Sequence, residues 1–186
     1  MIIAIVPVKS ESKRLPNKNM IIMNGKHLIE YTINYIKISK RVDDFYVSTD
    51  SDKVEEYCIE NNIKIIRRTE DLGGETPLLD VYKDAMQKIK EREKIQILCG
   101  VQVDHPDRKI SLDQAIKTFE EQKVDRLLSK ERNGQKNGAH YILSNYFLNY
   151  GTSRRDYYLV DDCTNIHYYE DLIKAEKNLK KYEENS

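Results

Sequence analysis

The chain has no excess charge of either sign, no paired cysteines and no apolar run long enough to cross a bilayer, and each absence removes a class of function. Lysine plus arginine and aspartate plus glutamate balance at 31 each over 186 residues. Nothing in that total calls for DNA, RNA or an anionic membrane as the main partner. Three cysteines, Cys58, Cys99 and Cys163, form neither a CxxC pair nor a Cys/His zinc spacing. An odd, scattered set reads as free buried thiols in a reducing cytoplasm. The N-terminal run is apolar for only about eight residues, short of a membrane span or a signal segment. Repeats, low-complexity tracts and an interdomain linker are also missing, and no Ser/His/Asp or Cys/His arrangement for nucleophilic catalysis is evident.

What is present fits one globular domain spanning residues 1–186, with 39% hydrophobic and 33% charged residues. Ile2–Val6 is a continuous apolar run stopped by Pro7, the pattern of a central strand buried on both faces. Leu28, Tyr31, Thr32, Tyr35, Ile36 and Ile38 then recur at helical spacing. Phe45–Thr49 reads as a second strand, with Asp50-Ser51-Asp52 able to cap a helix over Lys53–Asn61. Ile63–Ile66 is a third strand. Thr76-Pro77 opens a helix running to about Lys90. Ile95–Cys99 is a fourth strand, Ser111–Glu121 a helix and Val124–Ser129 a fifth strand. Lys130–Gly138 reads as a polar loop, His140–Leu143 and Tyr157–Val160 as short strands, and Tyr169–Tyr182 as a charged terminal helix. Alternating strands and helices predict an α/β fold, a mostly parallel sheet with helices on both faces, whose ligands sit at the carboxyl ends of the strands.

The segment after the first strand, Pro7-Val8-Lys9-Ser10-Glu11-Ser12-Lys13-Arg14-Leu15-Pro16-Asn17-Lys18-Asn19, concentrates cations. Charge alone fits two readings, a basic surface loop or a cradle for a triphosphate, which needs cations and backbone N–H groups to offset its oxygens. The stretch resembles the opening signature of the CMP-sialic acid and CMP-Kdo synthetases, P-A/V-R/K-x-x-S-x-R-x-P-x-K-N. Asn24-Gly25-Lys26 and Leu28-Ile29 follow like that family's NGKPLI. Further similarities come in the same order. Val47-Ser48-Thr49-Asp50 is like VSTD, and Arg68–Thr76 is like RPxxLAxDT, with Glu75 where Asp is usual. Val101–Pro106 is like VQGDEP, Asn137–Ile142 like NGAIYI, and Glu170-Asp171-Leu172 with Ala175-Glu176 like PEDLxxAE. The similarity covers nearly the whole chain.

The resemblance implies a nucleotidyltransferase fold of nucleotide-diphospho-sugar transferase type. It also implies an enzyme that moves CMP from CTP to an acidic sugar and releases pyrophosphate, in surface glycan biosynthesis. On this basis Lys9, Lys13 and Lys18 contact the phosphates. Pro7, Val8, Ser12 and Asn19 hold the loop and nucleotide, and Arg68 and Gln102 lie near nucleotide and sugar. The implied cofactor is Mg2+, with Mn2+ as a substitute. Asp104 is a metal ligand, and Asn165 and His167 stand where the family's second acidic pair is usual. A shifted alignment would instead offer Asp161 or Asp162.

Roughly 35 residues separate Gln102 from Asn137 (137 − 102), where the family carries a longer insert that closes the sugar pocket and forms the dimer contact. That departure leaves open a small phosphonate or phosphate acceptor, a degenerate nucleotide-binding homologue, and whether the chain is a homodimer. His27, His105 and His140 lack ligand spacing, and structural roles are expected of them, although His105 beside Asp104 is also placed for an acceptor contact. The clustered tyrosines fit either packing or an acceptor or subunit surface.

Overall fold

The first strand, β1 (Ile2–Val8), is rich in β-branched residues and buried on both faces. Ala4, Val6 and Val8 enter one half of the core, and Ile3 and Ile5 enter the other. In a computed structural model, residues 1–10, 12–73 and 76–184 are described. Glu11 and Glu75, both within the family-like motifs, lie outside the described residues.

After β1 come a small hairpin, β2 (Ile22–Met23) and β3 (Lys26–His27), then α1 (Leu28–Lys37), β4 (Asp44–Thr49), α2 (Asp52–Glu60) and β5 (Ile65–Arg67). The next elements are α3 (Leu78–Lys88), β6 (Ile97–Gly100), α4 (Leu112–Gln122), β7 (Arg126–Lys130) and β8 (Lys136–Ser144). The chain finishes with α5 (Asn145–Tyr150), β9 (Asp156–Val160) and α6 (Tyr169–Glu184). Seven strands form one sheet in the order β5-β4-β1-β6-β8-β7-β9. All neighbours are parallel except β8, which runs antiparallel to both β6 and β7. Residues of α1, α2, α4 and α6 pack with one core cluster and those of α3 and α5 with the other, so helices cover both faces as expected. No helix among the described residues is long and apolar enough to cross a membrane. All three cysteines are free and buried.

Local chemistry sets the helix starts. Ser51 accepts from the Val54 N–H at the head of α2, and Ser144 from the Phe147 N–H at 3.1 Å at the head of α5. Ser111 and Gln114 exchange hydrogen bonds as a capping box at the head of α4. The His27 N–H donates to Glu30 Oε1 at 2.8 Å.

Four expectations change. Pro7 does not stop β1, which pairs with β4 through Val8 and Thr49. Pairing with β6 ends at Ile5, so Pro7 has only one neighbouring strand and its missing N–H breaks less of the ladder. Lys136–Gly138 belongs to β8 rather than to a loop. Asn137-Gly138 reads as a breaker, yet Gly138 (φ +77°) lies in the strand opposite a register irregularity between Leu128 and Lys130. The turn itself is shorter and closes through Glu131 N–H to Gln135 O at 2.8 Å. The β2–β3 hairpin and α5 were not foreseen, because two-residue strands and a six-residue helix carry too little periodicity.

Gly100, the last residue of β6, sits against the fully buried ring of Tyr82 on α3. A Cβ there would lie 2.2 Å from Tyr82 Oη and 2.4 Å from Cζ. Since the ring has no room to retreat, Gly100→Ala should lower stability by about 1–3 kcal/mol. The denaturation midpoint in urea measures this, and an unchanged midpoint would refute the packing described.

Candidate active site

Three parallel strands, β1, β4 and β5, end side by side, and a buried cation ties their ends together. The Arg68 N–H donates to Thr49 O at 2.8 Å. Its guanidinium donates to Val8 O at 2.6 Å and to Asp50 Oδ1 at 2.9 Å. Asp50 in turn accepts from the Ser10 N–H at 2.8 Å and the Ser10 hydroxyl at 3.1 Å. Burial alone would raise the Asp50 carboxyl's pKa, but the Arg68 guanidinium and the Ser10 N–H outweigh it and hold it below 3.8. The basic loop is therefore pinned at its root.

The loop's far end is pinned by its own backbone. Asn17 takes the left-handed conformation (φ 54°, ψ 26°), which asparagine tolerates. A single 3-10 turn follows at Lys18–Met20, and Asn19 Nδ2 donates back to Lys9 O at 3.0 Å. This turn carries Lys18 inward, where only 8% of its surface stays exposed. Lys18 Nζ meets Asp104 Oδ2 at 2.7 Å and donates to Ile166 O at 3.1 Å. The Ile166 N–H donates to Asp104 O at 2.9 Å, so the segment Asn165-Ile166-His167 runs alongside Asp104.

Behind Asp104 lies a polar scaffold. Asp107 accepts from Thr164 N–H and Oγ1, both at 2.8 Å, and from Asn178 Nδ2 on α6 at 2.7 Å. Arg108 donates to the carbonyls of His105 and Ala139, and its guanidinium lies 5.0 Å from the Tyr35 ring centroid. Gln102 Nε2 donates to Gly138 O at 3.0 Å, and a Cβ on Gly138 would lie 2.5 Å from that nitrogen. The Asn137-Gly138 pair thus needs glycine to admit the Gln102 side chain.

These elements enclose a cleft of about 320 Å³ at the carboxyl edge of the sheet. Pro7, Lys9, Ser12, Lys13, Lys18, Asn19, Arg68, Gln102 and Asp104 all line it, and so does His167. Of the nucleotide-contact candidates only Val8 does not, since its side chain is core and its carbonyl serves Arg68. Asn165 does not line the cleft either, but its Oδ1 is buried with no partner among the described residues while its Nδ2 donates to Asn137 O at 3.3 Å.

Asp161 and Asp162 are engaged elsewhere. Asp161 is buried against His140 (Nε2 to Oδ2 2.9 Å), and Asp162 pairs with Arg132. Among the described residues no group of three or more His, Cys, Asp or Glu is arranged to hold a metal ion. His105 is buried, and burial first and Arg108 second push its pKa well below 6.5. Burial and the Arg14 guanidinium likewise lower His167.

Arg14 and an apolar wall of Leu72, Leu78 and Val81 also line the cleft. Arg14 stood inside the basic motif, and the wall comes from the apolar face of α3 and the turn before it, where periodicity reports burial and not which cleft is faced. Asp50 was legible only as part of a VSTD-like string or as a cap, and its role as the loop's anchor needs the fold. Among the described lining residues, five cations (Lys9, Lys13, Arg14, Lys18 and Arg68) surround one carboxylate, Asp104. Such a cleft suits a polyanion of several charges.

The fold and this cleft define a nucleotidyltransferase-type α/β protein. A family model described as cytidylyltransferase matches residues 3–184, and the chain belongs to the cytidylyltransferase family. It is 33% identical over 131 residues to the N-acylneuraminate cytidylyltransferase of Streptococcus agalactiae serotype V, covering 68% of this chain and 31% of that protein. It is 27% identical to the 3-deoxy-manno-octulosonate cytidylyltransferase of Christiangramia forsetii, over 68% of this chain and 48% of that one. The chain therefore matches less than half of the length of these relatives, 31% of one and 48% of the other. In fold it resembles the CMP:2-keto-3-deoxy-manno-octonic acid synthetase solved with CTP, with a TM-score of 0.75 at 16% identity over 97% of this chain and 99% of that one. It also resembles a cytidylyltransferase from Leptospira borgpetersenii, with a TM-score of 0.69 at 17% identity over 98% and 95%.

The Asp50 latch gives a prediction. Hydrogen bonds to a charged group contribute about 1.5–3 kcal/mol, so Asp50→Ala should speed exchange of the Ser10 amide roughly tenfold or more. Because the folded pKa of Asp50 is depressed, its contribution is present above pH 4 or so and is lost as pH falls below that value. Wild-type protein should therefore keep Ser10 protection at about pH 5 and lose it only as pH falls through the depressed folded pKa of Asp50, below the ordinary aspartate value. A Ser10 amide equally protected in wild type and variant would remove the latch from the account.

Proposed function

We propose that the chain transfers CMP from CTP to an acidic sugar and releases pyrophosphate, as a step of surface glycan biosynthesis. The observation that carries this reading is the cleft at the strand ends of a cytidylyltransferase-family sheet, lined among the described residues by five cations and one carboxylate. Lys9, Lys13 and Lys18 are assigned to the triphosphate, with Ser12 and Asn19 shaping the loop around it. Arg68 keeps the loop seated through Asp50 and adds positive charge to the wall. The apolar wall of Leu72, Leu78 and Val81 offers a surface for a base, and Gln102 stands between nucleotide and acceptor. An acceptor oxygen attacks the α-phosphorus, the bond to the bridging oxygen of the β-phosphate breaks, the electron pair leaves with pyrophosphate, and a hydroxyl acceptor releases its proton to solvent. Fixed cations at the leaving group stabilise charge where it develops, and the loop's anchors keep them in position.

The oxygen donors suit Mg2+, which prefers hard ligands and completes its shell with water and phosphate oxygens. Asp104 would hold the ion, with the unpartnered buried Oδ1 of Asn165 as a second donor. His167 is a softer and less suitable ligand. When bound, the ion supplies Lewis-acid neutralisation of phosphate charge. Three buried free thiols suit a reducing cytoplasm.

A second reading keeps the chemistry and changes the acceptor. The span from β6 to β8 holds only α4 and β7, which favours a small phosphonate or phosphate over a nine-carbon acid sugar. Pyrophosphate release from CTP with Mg2+ across a panel of both acceptor classes separates the two, and the first reading expects turnover with an acid sugar. Asp104→Ala, with an unchanged unfolding midpoint, should lower that turnover by at least about 100-fold. CTP binding without turnover on any acceptor would instead indicate a degenerate homologue.

A further inference from the structure

The one carboxylate that lines the cleft among the described residues already holds a cation. Lys18 Nζ sits 2.7 Å from Asp104 Oδ2 and 3.1 Å from Ile166 O, with the lysine side chain 10% and the aspartate 21% exposed. From this arrangement we infer that Lys18 is a built-in counter-ion that closes Asp104 to a divalent cation until a nucleotide triphosphate draws the ammonium away. The inference rests on the reading above, that the cleft takes a metal–nucleotide complex.

The argument is electrostatic. An ammonium left beside a dication in a partly buried site is repelled by it, and the Ile166 carbonyl it would keep is a neutral partner that does not offset the charge. Mg2+ also gives up water reluctantly and gains little from a single carboxylate that is shared with a lysine. A triphosphate changes both sides of the balance, because its oxygens give Lys18 a new acceptor and the metal several new ligands. The lysine can make the exchange by moving its side chain alone. Its backbone is held by Lys18 N–H to Leu15 O at 3.2 Å and by the Ile21 N–H to Lys18 O at 3.1 Å. Asn165, next to Ile166, also carries a buried side-chain oxygen, Oδ1, with no hydrogen-bond partner among the described residues. Metal binding is then conditional on nucleotide, and the cleft does not collect free divalent ions.

Mn2+ titration of the nucleotide-free protein, followed by the EPR signal of free Mn2+, tests this. Wild type should bind Mn2+ no better than Asp104→Asn. Lys18→Met should bind one ion at least roughly tenfold more tightly than wild type, and Asp104→Asn on that background should abolish the gain. Wild type that binds Mn2+ as tightly as Lys18→Met overturns the inference. So does a nucleotide-free wild-type site that Asp104→Asn removes, and this arm needs no folded lysine variant. Thermal stabilisation by CTP without metal, on the same wild-type sample, keeps the two claims apart. A protein that ignores CTP sinks the cytidylyltransferase reading, whereas one that binds CTP yet holds Mn2+ at Asp104 beforehand sinks only the gating by Lys18.

Discussion

Lys18 reaches from the basic loop to Asp104 after β6 and to the carbonyl of Ile166, 148 positions further along the chain. That one ammonium joins three segments that share no secondary structure. A buried ion pair is weak evidence for net stability, because desolvation opposes the attraction. Its effect here is registry, since the loop, the end of β6 and the segment before α6 cannot shift independently while the contact holds.

A second ion pair makes the registry possible. Arg68 and Asp50 lock the ends of β1, β4 and β5 and hold Ser10 at the root of the loop. Charge is thereby divided between two jobs. Asp50 uses its negative charge to fix the wall, and among the described residues Asp104 presents the only carboxylate to the cleft. The remaining cations face the space a polyanion would fill. The polar scaffold of Asp107, Thr164 and Asn178 ties α6 and the segment before it to the loop after β6 that carries Asp104.

The amino-acid pattern gave access to the architecture at its regular parts. Alternating apolar strands and capped helices located most of the sheet, because burial on both faces writes a continuous hydrophobic run. It did less well where backbone geometry overrides composition. Pro7 continues β1 because one side of that strand is already unpaired, and Asn137-Gly138 is a strand irregularity that gives room to Gln102. Most of the cleft residues were legible, since Lys9, Lys13, Lys18, Arg68, Gln102 and Asp104 all stand in motif positions and all line it. The partnerships were not. Asp50 with Ser10 and Lys18 with Asp104 are contacts between distant segments, which no local spacing records. The apolar wall from α3 was hidden for a related reason, as periodicity marks a buried face without saying whether core or ligand covers it.

The central claim is that this cleft is built for a cytidine triphosphate. Thermal unfolding of the full chain with Mg2+ and each of the four ribonucleoside triphosphates in turn addresses it most directly, since a ligand at free concentration L that binds only the folded state stabilises it by RT ln(1 + L/Kd) and so raises the melting temperature. The account predicts the largest rise with CTP. Equal rises with all four nucleotides, a preference for another base, or no rise with any would contradict it.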